Sequence, residues 1–153
     1  EQEKTMRRLW YFCFCLCLVS CSSNKQYGSH PPYPTSGQLL VNGEPAADAN
    51  VLLFHLDDWG ERSILPQAWT DEEGRFVLST YGDSDGAPAG DYQVAVEWPA
   101  YRKGKNWGPD KLGGKFAKPA TSGLKAHVEK GTNELPPFNL KVTLAKVKKG
   151  KER

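Results

Sequence analysis

From residue 36 onward the chain alternates apolar and polar positions in short runs broken by turn residues, the period-two signature of strands with one buried face. The run 90–98 is the cleanest: Tyr92, Val94, Val96 and Trp98 fall on one face and Gln93, Ala95 and Glu97 on the other. Leu124, Ala126 and Val128 alternate with Lys125, His127 and Glu129; Phe138, Leu140, Val142 and Leu144 alternate with Asn139, Lys141 and Thr143. The run 49–56 departs from the rule, because Val51, Leu52, Leu53, Phe54 and Leu56 are apolar on both faces, as in a strand central to a covered sheet. A first strand at 37–41 ends in Asn42-Gly43, a strong signal for a type I′ turn. Runs at 67–70 and 75–80 flank Asp71-Glu72-Glu73-Gly74, a predicted hairpin loop in which Gly74 supplies the positive φ. Seven short strands, with no long 3.6-residue period and no internal repeat, predict an all-β fold: a seven-stranded Greek-key β-sandwich over residues 36–145.

The pattern is different upstream. Met6, Arg7 and Arg8 form a short basic stretch, and 9–19 is an unbroken apolar run that closes in Leu18-Val19-Ser20-Cys21. That tetrapeptide resembles the lipobox of bacterial lipoproteins. The resemblance implies that 1–21 is a signal segment, that Cys21 carries the lipid, and that the mature chain is exported and anchored to a membrane of the cell envelope. Met6 is the expected initiator. A membrane span needs ~20 apolar residues, more than this run supplies. All four cysteines (Cys13, Cys15, Cys17, Cys21) lie in or at the edge of the signal, so the domain must stabilise itself by core burial alone. A lipid on Cys21 would also cap an otherwise reactive thiol. Residues 22–35, with Pro31, Pro32 and Pro34, read as a flexible tether in which His30, Tyr27 and Tyr33 are solvated linker residues.

The net charge of the chain is only +2, which gives no field to draw nucleic acid. Within the strand pattern, Ser36-Gly37 with Val41, Asn42-Gly43-Glu44-Pro45-Ala46 and Ala49-Asn50-Val51 resemble the opening of a carboxypeptidase regulatory-like domain. Thr70-Asp71-Glu72-Glu73-Gly74-Arg75-Phe76 and Pro88-Ala89-Gly90-Asp91-Tyr92 continue the likeness. So do Asp110 to Phe116, Ser122-Gly123-Leu124 and Asn133 to Phe138, which resemble a bacterial lipoprotein branch of the group. The resemblance covers 36–145 and implies a transthyretin-like, immunoglobulin-like sandwich of the accessory, non-catalytic kind. Read without the family, Tyr92 faces the core and its hydroxyl is placed to anchor a loop. Pro136 and Pro137 stiffen the approach to the last strand, where no ladder N–H is needed.

Catalytic chemistry finds little to work with. His55, Asp57 and Asp58 with His127 could be assembled into a metal set, but His55 ends a strand and His127 sits on a polar face between Lys125 and Glu129. Asp83-Ser84-Asp85-Gly86 opens like a calcium loop but is followed by Ala87, Pro88 and Ala89 with no bidentate glutamate, so an Asx turn is the simpler reading. No Gly-x-Ser-x-Gly, phosphate loop or cysteine nucleophile is present, and transthyretin-like hydrolases end in a Tyr-Arg-Gly-Ser signature that this chain lacks. No catalytic residue, metal or cofactor is therefore assigned. An exported hydrolase or metalloprotein with an unrecognised site is the alternative class.

The long connection 99–123 is the segment most suited to function, because sandwich loops are usually short. Tyr101, Trp107, Leu112 and Phe116 are interleaved there with Arg102, Lys103, Lys105, Lys111, Lys115 and Lys118, against Asp110 alone. Aromatic faces beside cations suit an anionic polysaccharide, and the candidate ligand-binding set is Tyr101, Arg102, Lys105, Trp107, Lys111, Lys115 and Phe116. The competing and simpler reading has Trp107 and Phe116 capping the sandwich end while the lysines stay solvated. Trp59 and Trp69 belong either to that surface or to the core. The tail 146–153 is basic and reads as a fraying end. The expected partners are a membrane, through the anchor, and an anionic polysaccharide or an envelope protein. Nucleic acid is not expected.

Overall fold

The computed structural model describes residues 30–57, 65–104 and 106–146. Their strands are β1 (Pro32–Tyr33), β2 (Thr35–Val41), β3 (Glu44–Pro45), β4 (Asn50–His55), β5 (Gln67–Trp69), β6 (Arg75–Val77), β7 (Ala87–Pro88), β8 (Gly90–Glu97), β9 (Arg102–Lys103) and β10 (Asn106–Trp107). A single helical turn, α1 (Pro119–Ser122), precedes β11 (Leu124–Val128), β12 (Asn133–Glu134) and β13 (Phe138–Leu140). Each of the seven expected strands has a counterpart among these.

Two sheets face each other. One runs β11–β8–β4–β5, antiparallel throughout. The other is built around β2, with β6 and β3 antiparallel on one side and β12 and β13 parallel on the other. The alternation reads directly into this geometry. Tyr92, Val94 and Val96 of β8, Val51 and Leu53 of β4, and Leu39, Phe76, Leu78 and Leu140 from the facing sheet form one buried cluster. β4, apolar on both faces, lies between β8 and β5 as its pattern requires. The fold is a transthyretin-like β-sandwich.

The turn chemistry also follows the sequence. Asn42 and Gly43 both take positive φ (55° and 90°), giving the type I′ link between β2 and β3. The Asn42 side chain then pairs with the Val142 backbone, donating to its C=O at 2.9 Å and accepting from its N–H at 3.0 Å. Asp85 accepts the backbone N–H groups of Thr80, Tyr81 and Gly82, so the Asp83–Gly86 segment is a carboxylate-pinned turn. Tyr92 is fully buried and donates its hydroxyl to Pro88 O at 2.7 Å, the loop anchor its position suggested.

Four expectations need correction. Residues 32–35 are not tether: β1 pairs with β7, and Thr35 is buried with its hydroxyl bonded to Tyr33 O. Prolines do not prevent this, because β1 is a two-residue strand on an edge. The arms of the 67–80 hairpin keep hairpin register at Gln67↔Ser79 and at Asp71 N–H···O=C Arg75 but splay apart between, β5 joining β4 and β6 joining β2. Each arm must feed a different sheet to close the sandwich corner. The last strand stops at Leu140, and Leu144 is exposed, because the Asn42 side chain takes the backbone groups of Val142. Ala95, placed by alternation on the open face, is buried; its methyl group is too short to rise past Leu52, its ladder partner.

Candidate functional site

The 99–123 segment is ordered by its own backbone. Pro99 bridges Asp110, Ala100 N–H donates to Pro109 O, Gly108 N–H donates to Tyr101 O, and Trp107 and Asn106 pair with Arg102 and Lys103. These pairs share one register, so 99–110 is a single hairpin. Asp110 fastens its base: Oδ1 accepts the N–H groups of Trp98 (2.9 Å) and Leu112 (3.0 Å), and Oδ2 accepts that of Gly114 (2.7 Å). Beyond it Leu112 and Phe116 enter the core, and the Ser122 hydroxyl at the end of α1 donates to Val94 O at 2.6 Å.

The hairpin folds against the outer face of the β11–β8–β4–β5 sheet. Strand register puts Trp69, Asn50 and Glu97 in one row across that face. Trp107 meets Trp69 edge to face, with ring centroids 5.1 Å apart and planes at 85°. The Arg102 guanidinium carbon lies 3.6 Å from the centre of the Trp69 ring, and its Nη1 donates to Asp48 Oδ1 at 3.4 Å. Trp107 remains 49% exposed, on the strand that pairs with Arg102. Asn50 is 3% exposed, and its Oδ1 has no hydrogen-bond partner among the described residues.

The expected site residues therefore separate. Arg102 and Trp107 come together, with Trp69 beneath them. Tyr101 is 53% exposed but pairs with Gly108 one step along the ladder, so it points from the opposite face of the hairpin. Lys111 lies 4.0 Å over Trp98; burial lowers its pKa, and the Asp48 carboxylate pulls the other way. Lys115 is exposed and sits 5.4 Å over the Phe116 ring. Phe116 itself is a core residue and offers no ligand contact, because Val96 N–H takes its carbonyl and draws the ring inward. Phe116 is thus buried in the core, while Trp107 is half exposed and packed against Trp69. Lys105, Trp59 and Cys21 lie outside the described residues.

Three residues of the cluster were not assigned to it from sequence. Trp69 reads equally as surface or core, Asp48 belongs to no motif, and Asn50 enters only within Ala49-Asn50-Val51. The one signal for Asn50 is a polar residue at the head of an otherwise apolar strand.

The metal set does not assemble. His55 packs edge-on against Tyr92 at 4.9 Å on the inner face, with Nδ1 accepting Asp57 N–H at 2.9 Å. His127 pairs with Asp91 at 2.6 Å on the outer face of the same sheet. The sheet separates them. Asp58 lies outside the described residues, among which no group of three or more His, Cys, Asp or Glu could hold a metal ion. No helix among them is long and apolar enough to cross a membrane.

The profile of the Transthyretin-like family matches residues 36–95. That span ends before the 99–110 hairpin, so the aromatic cluster is contributed partly by the matched sandwich and partly by residues outside it. No curated protein matches the sequence. The crystal structure of a 9R-lipoxygenase from Cyanothece PCC8801 aligns at 15% identity with a TM-score of 0.38, covering 69% of this chain and 16% of that one. A superposition that loose carries no argument about chemistry.

Proposed function

We propose that this chain is a lipid-anchored, non-catalytic module of the bacterial cell envelope that engages polysaccharide through its 99–123 segment. The transthyretin-like sandwich supports a binding or structural β-domain, and the signal-like segment ending at Cys21 supports the anchor. The observation that carries the ligand reading is Trp107: half exposed, packed edge to face against Trp69, and the ladder partner of Arg102, whose guanidinium lies over Trp69. Burying an indole is worth ~1.5–3 kcal/mol, so leaving one at a hairpin surface is a cost that a stacking ligand would recover. Sugar rings present flat C–H faces of the right size for such a platform. The carboxypeptidase regulatory-like label fits the same accessory role.

The test is a titration of the chain with envelope polysaccharides, neutral and acidic, followed by tryptophan emission. Binding that saturates and weakens at least tenfold in Trp107→Ala is expected. Affinity untouched by that substitution would move the site elsewhere. Absence of any response would send the search to protein partners.

A further inference from the structure

We infer that the Asp48–Arg102 ion pair is a latch over the binding platform, and that the ligand it screens for is a carboxylate-bearing polysaccharide, a polyuronate. The inference rests on the polysaccharide reading above and sharpens it. Two observations meet at one place. Arg102 lies 3.6 Å from the centre of the Trp69 ring, the same ring that Trp107 meets edge to face. Its only charged partner among the described residues is Asp48, at 3.4 Å, and that carboxylate is 75% exposed.

Each piece then has a use. A guanidinium presents a planar fork that accepts a carboxylate through two parallel hydrogen bonds. A uronate carboxylate can replace Asp48 in that fork without desolvating Arg102 further, while the sugar ring stacks on Trp107. A neutral polymer has nothing to offer the guanidinium, so it leaves the latch closed. Discrimination therefore comes from competition between two carboxylates for one arginine.

Asp48 is suited to a clean test. It sits at φ 57°, a left-handed conformation that asparagine tolerates nearly as well as aspartate, so Asp48→Asn should leave the turn intact while removing the charge. The experiment titrates the full chain, held in detergent, with polygalacturonate and separately with dextran, for the native protein, Asp48→Asn, Arg102→Lys and Trp107→Ala. An exposed ion pair contributes little, so Asp48→Asn should tighten polygalacturonate by about two- to fivefold and leave dextran unchanged. Arg102→Lys keeps the charge and loses the fork; it should weaken polygalacturonate about tenfold or more. Equal affinity for both polymers, with Asp48→Asn neutral, overturns the latch while Trp107→Ala still reports polysaccharide binding. Silence toward both polymers in every variant overturns the polysaccharide reading, and the latch with it.

Discussion

Thr70 explains why a threonine opens the loop before β6. Its hydroxyl donates to Ala46 O at 2.5 Å and accepts Ala49 N–H at 2.8 Å, in a site where the residue is 5% exposed. One side chain thus ties the β3–β4 connection to the β5–β6 connection. Next to it Asp71 Oδ1 accepts the N–H groups of Glu73 and Arg75, and Gly74, at φ 71°, carries the carbonyl that receives Leu39 N–H. Thr70→Val keeps the shape and strands both backbone groups, which should cost about 1–3 kcal/mol. Urea denaturation measures this, and a loss below ~0.5 kcal/mol would mean that the two connections are held by something else. The threonine and the glycine were legible as a motif. Asp48 was not, and the place of Asn50 in Ala49-Asn50-Val51 says nothing of its contacts, because nothing in a single polar residue tells which neighbour the fold will bring to it.

Among elements, the 99–110 hairpin was the least legible. Its two strands are two residues long, it carries no Asn-Gly signal, and its ladder is completed by Pro99 and Asp110 outside the strands. Order comes from Asp110, whose carboxylate gathers three backbone N–H groups from Trp98, Leu112 and Gly114. Asp110→Ala should destabilise the protein by about 2–4 kcal/mol. It should also raise amide hydrogen exchange at those positions and shift tryptophan emission as Trp107 leaves Trp69. Exchange protection that survives the substitution would show that core insertion of Leu112 and Phe116 is enough to hold the segment.

At the scale of the whole molecule, stability without a disulfide depends on the shared core of the two sheets, and Tyr92 stands at its centre. Burial, and secondarily the nearby Tyr81 phenol, pushes its pKa well above the usual tyrosine range. A phenol that keeps its proton when folded but releases it when unfolded contributes stability that is intact below pH ~10 and lost as pH rises above that value. The slope is ~1.4 kcal/mol per pH unit for this one group. Alkaline unfolding should therefore be cooperative with phenolate absorbance, and Tyr92→Phe should flatten the pH dependence while costing about 1 kcal/mol near neutrality for the lost bond to Pro88 O. A Tyr92→Phe profile parallel to that of the native protein would place the alkaline transition in other groups.

The sequence by itself determined the sandwich. Period-two alternation, the Asn42-Gly43 turn and the Thr70-to-Phe76 motif are local chemistry, and each states which face is buried or which φ is needed without reference to distant residues. Tertiary structure alone decided which strand each arm of the 67–80 hairpin would join, and that residues 32–35 belong to the fold. It also decided that Phe116 would be core while Trp107 stayed at the surface. These outcomes depend on packing between segments far apart in the chain. Arg102 and Asp48 are 54 positions apart, and only closure of the two sheets and folding of the hairpin onto one of them brings that pair over Trp69.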